Sequence, residues 1–193
     1  MPEQILYEKI TELQRRIAVY EDELAYKKLF FILFPSLTRF SASIVHSRET
    51  AEEIVSDVFI KIWADRNRLE EIENIQLYLF IAVRNNSLRK LNQNKRKATV
   101  SLDEIDIEIE CGLPDPEQSF LSQEALTKIY SAIDLLPPRA RLIFKLAKED
   151  RMKYKEIAAL LHISVKTVDH QLSLSLKKIA TVLGISSHSN QKK

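Results

Sequence analysis

Glycine is nearly absent from this chain, at 2 of 193 residues, about 1% where ~7% is usual. A dinucleotide-binding fingerprint needs three glycines and a phosphate-cradling loop needs two close together, so neither can be assembled here. Hairpin-rich β sandwiches also lean on glycine at turns of positive φ. Cysteine is reduced to one residue, Cys111, which excludes an internal disulfide and a cysteine-based zinc site and fits a reducing compartment. The longest apolar run, Leu29 to Phe34, is far short of the ~20 residues that span a bilayer. The N-terminus carries Glu3 and Glu8 and no long apolar stretch, so no secretory signal is read. These absences lead to the expectation of a cytoplasmic protein that does not itself reside in a membrane. What is present is 45% hydrophobic and 29% charged residues, enough to bury cores and stay soluble. The expected fold class is all-α, helices joined by short loops.

Charge is placed unevenly. Residues 84–97 carry net +6, residues 98–124 net −8 and residues 125–193 net +8. Basic blocks suit a polyanion, and an acidic block suits a basic partner or screens its own chain.

Periodicity sets the organisation. Leu6, Ile10, Leu13, Ile17, Tyr20 and Leu24 form one apolar seam that predicts a helix over 3–34, broken by Pro35. A second helix is expected over 36–46. A third starts near Ser47 and carries the cleanest stripe, Ala51, Ile54, Val55, Val58, Phe59, Ile62 and Trp63. Residues 65–74 read as a loop. A fourth helix is expected over 75–93, with Leu77, Phe80, Ile81, Arg84, Leu88 and Leu91 near helical spacing. Ile105, Ile107 and Ile109 alternate as a short strand would, but a lone strand has no pairing partner. The expected layout is a first domain over 1–97, an acidic linker over 98–124, a second domain over 125–184 and a frayed tail over 185–193.

The second domain holds the more specific local motif. Ile157, Ala158 and Leu161 share a helical face, a break follows at His162-Ile163-Ser164, and Ser164 suits an N-cap. Small Ala158 permits close helix approach and Ile163 plugs the corner. Val165, Val168, Leu172, Leu176 and Ile179 are expected to face inward along the next helix. This is the helix-turn-helix pattern, whose second helix enters the major groove of DNA. The outward set is Lys166, Thr167, Asp169, His170, Ser173 and Lys177. Asp169 suits the cytosine amino group, and Lys166 and Lys177 suit phosphates. An ordinary helical hairpin with a solvated face is the plain alternative.

The order of segments is more informative than any one of them. The stripe Ala51-Glu-Glu-Ile-Val-Ser-Asp-Val-Phe-Ile-Lys-Ile-Trp63 precedes Tyr78-Leu-Phe-Ile-Ala-Val-Arg-Asn85 and a basic run. The acidic linker, Leu136-Pro-Pro-Arg-Ala-Arg-Leu-Ile-Phe144 and the helix-turn-helix follow. Over about residues 18–183 this resembles the bacterial sigma-70 family, in particular its compact extracytoplasmic-function (ECF) group with only regions 2 and 4. The wording Lys166-Thr-Val resembles members from the Bacteroidetes lineage.

The resemblance implies an initiation factor without chemistry or cofactor of its own, bound to RNA polymerase core through the largest-subunit clamp coiled coil and the β flap. It implies promoter DNA as a second partner and an anti-sigma protein as a regulator. The helix like 49–64 would dock on the clamp. Glu53, Ser56, Asp57 and Lys61 lie opposite its core stripe, where a solvated acidic face is the other reading. The segment from 65–74 through Tyr78, Arg84, Asn85, Asn86, Arg89 and Lys90 would open and read the −10 element. Its pocket is expected between the 65–74 loop and the start of the fourth helix. Tyr78 is open to two readings, base stacking and core packing. Lys95, Arg96 and Lys97 would extend the cationic track. Region 4 would read −35. The acidic linker would occupy the polymerase's RNA exit channel in place of nucleic acid, or serve as a plain tether. Two departures from the family stand out: His162 where the turn often has glycine, and Leu174 where many relatives place an arginine. A helix-turn-helix regulator that does not bind core is the competing function. A hydrolase using Glu49, Glu52, Glu53 and Asp57 lacks matching ligands on a second helix.

Overall fold

The computed structural model describes residues 2–94 and 123–185, and the chain divides into two compact units, residues 1–108 and 109–193. Every regular element among the described residues is helical.

In the first unit, α1 (Pro2–Tyr20) and α2 (Glu23–Val45) replace the single helix expected over 3–34. The break falls at Glu21, whose φ of 50° is left-handed, and Asp22. The Asp22 carboxylate accepts from the Ala25 amide at 2.9 Å, so it starts a new helix. Its other oxygen takes the Arg16 guanidinium and ties the corner. Tyr20 and Leu24, assigned to the seam, are 65% and 68% exposed because they flank this corner.

Pro35 does not end a helix. α2 runs through it, merging the expected second helix with the first stretch. Pro35 is exposed, while Leu29, Leu33, Leu37, Phe40 and Ile44 on the opposite face are buried. Burial along both halves outweighs one missing hydrogen bond. α2 is also the one helix among the described residues with the length and composition to cross a bilayer, its best window having mean hydropathy 1.4. It packs instead against α1, α3 and α4 as the axis of the unit's core.

Ser47 caps α3 (Arg48–Ala64) by accepting from Thr50 N–H at 3.2 Å, as its sequence suggests. The stripe from Ala51 to Ile62 is buried, with Trp63 half-buried. Phe59 of α3 meets Tyr26 at 6.1 Å and Phe30 at 4.9 Å between ring centroids, both edge-on. The Tyr26 hydroxyl donates to the Phe59 carbonyl at 3.0 Å, so the half-buried ring leaves no orphaned polar atom. The expected 65–74 loop contains a 3-10 turn, Arg66–Glu71, anchored by Leu69 at 1% exposure.

α4 (Ile75–Asn94) lies in the expected place with a different register. Ile75, Leu79, Phe80, Val83, Ser87 and Leu91 face the core, while Ile81 is exposed and Leu77, Arg84 and Leu88 are half-buried. Near-helical spacing fitted two overlapping faces, and α2 selected the one whose Phe80 meets Phe40 at 5.3 Å.

In the second unit, α5 (Gln123–Asp134), α6 (Pro138–Lys148) and α7 (Tyr154–Leu161) pack on α8 (Val165–Val182). Pro138 opens α6, where its missing N–H would be unpaired anyway. Along α8 the buried residues are Val168, Leu172, Ser175 and Ile179. Val165 and Leu176, expected inside, are 43% and 48% exposed. Val165 is the first helical residue, before the face turns inward. The step from 172 to 175 to 179 stays nearer the core than a step to 176. The alternation at Ile105 to Ile109, the basic cluster Lys95 to Lys97, the linker carboxylates from Asp103 to Glu117 and residues 186–193 lie outside the described residues, and α5 takes in the last two positions of the expected linker.

Candidate nucleic-acid interfaces

Three surfaces, two in the first unit and one in the second, carry the expected site residues. In the first unit a cavity of about 220 Å³ opens where α3, the 3-10 turn and α4 meet. Val58, Ile62, Leu69 and Ile72 form its apolar wall, and Lys61, Asp65, Arg68, Glu71, Tyr78 and Asn86 supply polar edges. Its location is the one expected from the sequence. Tyr78, Ala82 and Asn86 line it because they recur every four residues on α4.

Tyr78 is 47% exposed, so of its two readings core packing is excluded. Asn86 accepts from the Arg89 guanidinium at 2.6 Å through Oδ1, which aims its amide and keeps a cation at the rim. Asn85 is exposed and accepts from Arg84 at 3.4 Å; Lys90 is half-buried. Arg84 stands apart. It lies two residues from Asn86 and six from Tyr78, hence on another face, and does not line the cavity. Burial holds its basicity below the usual arginine value, and its Nε has no hydrogen-bond partner. Asp65, Arg68 and Glu71 were not singled out from sequence. The signal available was a short segment dense in charge next to the proposed pocket.

The 3-10 turn is held from outside itself. Arg66 donates to the Trp63 carbonyl at 3.0 Å, lies over the Trp63 ring at 5.0 Å and pairs with Glu21 at 2.6 Å. On the far side of α3, Glu53, Asp57 and Lys61 are exposed and Ser56 is half-buried. Lys61 is also a cavity residue, so it stands at the border of the two surfaces. Among the described residues no group of three His, Cys, Asp or Glu side chains forms a metal site.

In the second unit the corner between α7 and α8 is built from three residues. His162 takes the left-handed conformation at φ 53° and ψ 45° and closes α7. Ile163 N–H bonds back to the Ala158 carbonyl at 3.0 Å, and its side chain is half-buried against the corner. Ser164 accepts from Thr167 N–H at 3.0 Å and shares a 2.8 Å hydroxyl bond with Thr167. Ile157, Ala158, Leu161 and Val168 fill the angle between the helices.

This leaves Lys166, Asp169, His170, Ser173 and Lys177 exposed on α8, with Thr167 half-buried and already bonded. Thr167 therefore serves the cap as well as the face. Leu174 adds 48% exposed apolar surface beside them. Lys178 turns away, its Nζ donating to the Leu135 carbonyl at 2.6 Å. The face has a capped N-terminus, cations at both ends and short polar groups between.

The family model described as Sigma-70 region 2 matches residues 33–97, and the one described as Sigma-70, region 4 matches residues 126–179. Together they span well over half the chain. No curated protein matches it. Among solved structures, the sigma factor RpoE in complex with the anti-sigma factor NepR, from Bartonella quintana, is similar at TM-score 0.52 and 22% identity. That likeness covers 83% of this chain and 98% of that one. CnrH in complex with the cytosolic domain of CnrY is similar at TM-score 0.50 and 18% identity, covering 93% of this chain and 99% of that one. At these identities the two likenesses establish the fold. Neither bears on a Bacteroidetes lineage.

Proposed function

The chain belongs to the sigma-70 family, and on that premise we propose that it is an ECF-type sigma factor that directs RNA polymerase core to promoters in the cytoplasm. Members of this family act as initiation factors and not as enzymes. The observation that carries the reading is the pairing of two different nucleic-acid surfaces on one chain. One is a small cavity suited to a single planar base; the other is a recognition helix suited to a duplex groove.

Each surface has its own physics. Extruding a base from duplex costs a few kcal/mol and needs a pocket that returns it. Tyr78 offers a ring face for stacking, Asn86 an amide edge, and Asp65 and Glu71 acceptors, while Arg89, Asn85 and Lys90 track the backbone. The cavity at about 220 Å³ is below the ~300–1,000 Å³ of drug-sized sites, which fits one base better than a larger metabolite. Arg84 contributes through the other face of α4. In region 4, Lys166 and Lys177 hold phosphates, and Asp169, His170, Ser173 and Thr167 meet base edges at −35. Glu53, Ser56, Asp57 and Lys61 meet the core's clamp helices, with the β flap holding region 4.

Residues 1–97 and 125–184 are taken as the two working domains, and 98–124 as a linker whose −8 charge competes for a cationic channel. Anti-sigma proteins are the expected regulators, since the RpoE and CnrH structures are complexes with NepR and with the cytosolic domain of CnrY.

Transcription in vitro with sigma-free core on a randomised promoter library tests the proposal. Added chain is expected to bind core and enrich templates with two spaced elements. Binding of DNA without capture of core would instead leave a helix-turn-helix regulator.

A further inference from the structure

Gln14 belongs to α1, outside the region 2 match at 33–97. A glutamine amide carries two donor hydrogens and is rarely buried without using them. Here the side chain is 6% exposed, and its Nε2 donates to the Leu69 carbonyl and the Ile72 carbonyl, both at 2.6 Å. Those two carbonyls belong to the last turn of the 3-10 segment and the residue after it. Both residues line the cavity, together with Arg68 and Glu71.

The 3-10 segment has little hold on itself. Its N-terminal flank at Asp65 makes no side-chain cap, and 3-10 hydrogen bonds are weak in geometry. One carboxamide from α1 therefore staples the turn by two carbonyls, 55 and 58 residues along the chain. A second tie runs the same way. Glu21, in the corner that ends α1, pairs with Arg66 at the start of the turn at 2.6 Å. Two polar links thus connect the α1 region to the two ends of the segment forming one wall of the cavity.

From this juxtaposition we infer that Gln14 is a positioning residue for −10 base capture, and that α1 is a brace which sets the shape of the cavity. The inference rests on the cavity being the −10 site. Gln14 touches no DNA in this role; it fixes the wall of Arg68, Leu69, Glu71 and Ile72 against which Tyr78 and Asn86 hold the base. Loosening the wall leaves the pocket present but less selective.

The test uses the full chain bound to core, with fork-junction DNA bearing the single-stranded −10 segment that wild type selects from a randomised library. Gln14→Met keeps reach and shape and removes both donors; Gln14→Glu turns donors into acceptors. Discrimination between the selected base and its three replacements is expected to fall about tenfold for Gln14→Met, the scale of one or two lost hydrogen bonds. Gln14→Glu falls further. Core affinity and binding to −35 duplex stay at wild-type values. Glu21→Gln, at an exposed position, shows a smaller loss in the same direction and decides the matter if the Gln14 variants fail to fold. Unchanged discrimination in Gln14→Met overturns the brace. A parallel fall in core affinity, −35 binding and discrimination with thermal stability also overturns it, because that is loss of the fold. Absence of any −10 discrimination by wild type overturns the brace together with the function it rests on.

Discussion

His46, His162, Glu21 and Arg151 all adopt φ values of 50° to 55°, a region where residues with a Cβ are strained by roughly 1–2 kcal/mol. Glycine is the ordinary occupant, and this chain has two glycines in all. Histidine carries the strain better than a branched residue. Replacing His162 by Gly removes that strain but adds backbone entropy of about 0.5–1 kcal/mol to the unfolded state. A net gain of roughly 0.5 kcal/mol is expected in denaturant unfolding of the chain. At the same corner, Ser164→Ala removes the α8 cap and is expected to cost about 1 kcal/mol by the same measurement. On the recognition face, Lys166→Ala or Lys177→Ala should weaken −35 binding on all sequences and lower the salt slope by about one each. A loss confined to one sequence would contradict the phosphate role. Asp22 shows how a residue acts through pH. The Ala25 amide first, then the Arg16 guanidinium, hold its carboxyl below its ordinary 3.8. A lowered pKa means stability that is full above the unfolded value and lost as pH falls through the folded one. The stability that Asp22 contributes should therefore decline as pH falls below about 4, so acid unfolding followed by circular dichroism has a shallower slope in Asp22→Asn.

At the scale of the element, α2 is the informative case. Proline inside a helix costs about 3 kcal/mol relative to alanine, and Pro35 is exposed with no packing to defend. Pro35→Ala should raise the unfolding midpoint, and a fall would show that Pro35 helps position Leu33 and Leu37. α2 and α4 also share a fully buried pair, Ser41 Oγ and Ser87 Oγ at 2.8 Å. Either single alanine leaves one hydroxyl unpaired and should cost about 1–3 kcal/mol, whereas the double alanine is expected near neutral. A double-mutant cycle in urea measures this coupling. Element existence was legible in sequence wherever a stripe was strict, as from Ala51 to Ile62, and where a cap was explicit, as at Ser47 and Ser164. Registers were less legible. Along α4 and α8 two overlapping apolar faces fitted the spacing, and only the partner helix chose between them.

For the whole molecule, charge and order matter more than any contact. Residues 98–124 hold eight acidic and no basic side chains between two domains of the opposite tendency toward DNA. Replacing Asp103, Glu104, Asp106, Glu108 and Glu110 with Ser or Gly should shift the ratio of abortive to full-length RNA in transcription with core. An unchanged ratio would reduce the segment to a tether. A tether still matters, because joining two weak sites raises their effective concentration toward each other. Leu174 leaves exposed apolar surface on the α8 face, beside a 169–173 stretch with no Lys or Arg. Leu174→Arg should strengthen −35 binding and steepen its salt dependence by about one.

The order of motifs, the helical class, the capped helix-turn-helix corner and the neighbourhood of the cavity between the 3-10 turn and α4 were all properties of the sequence itself. They follow from local rules: apolar period, turn chemistry and charge. The Glu21–Asp22 corner carried a local signal in the Asp22 cap. The passage of α2 through Pro35, the registers of α4 and α8, and the reach of Gln14 to Leu69 and Ile72 were settled only by packing. Each is a competition between a local preference of one to three kcal/mol and burial spread over many side chains, or a contact across more than fifty residues. No window of sequence contains both sides of such a balance.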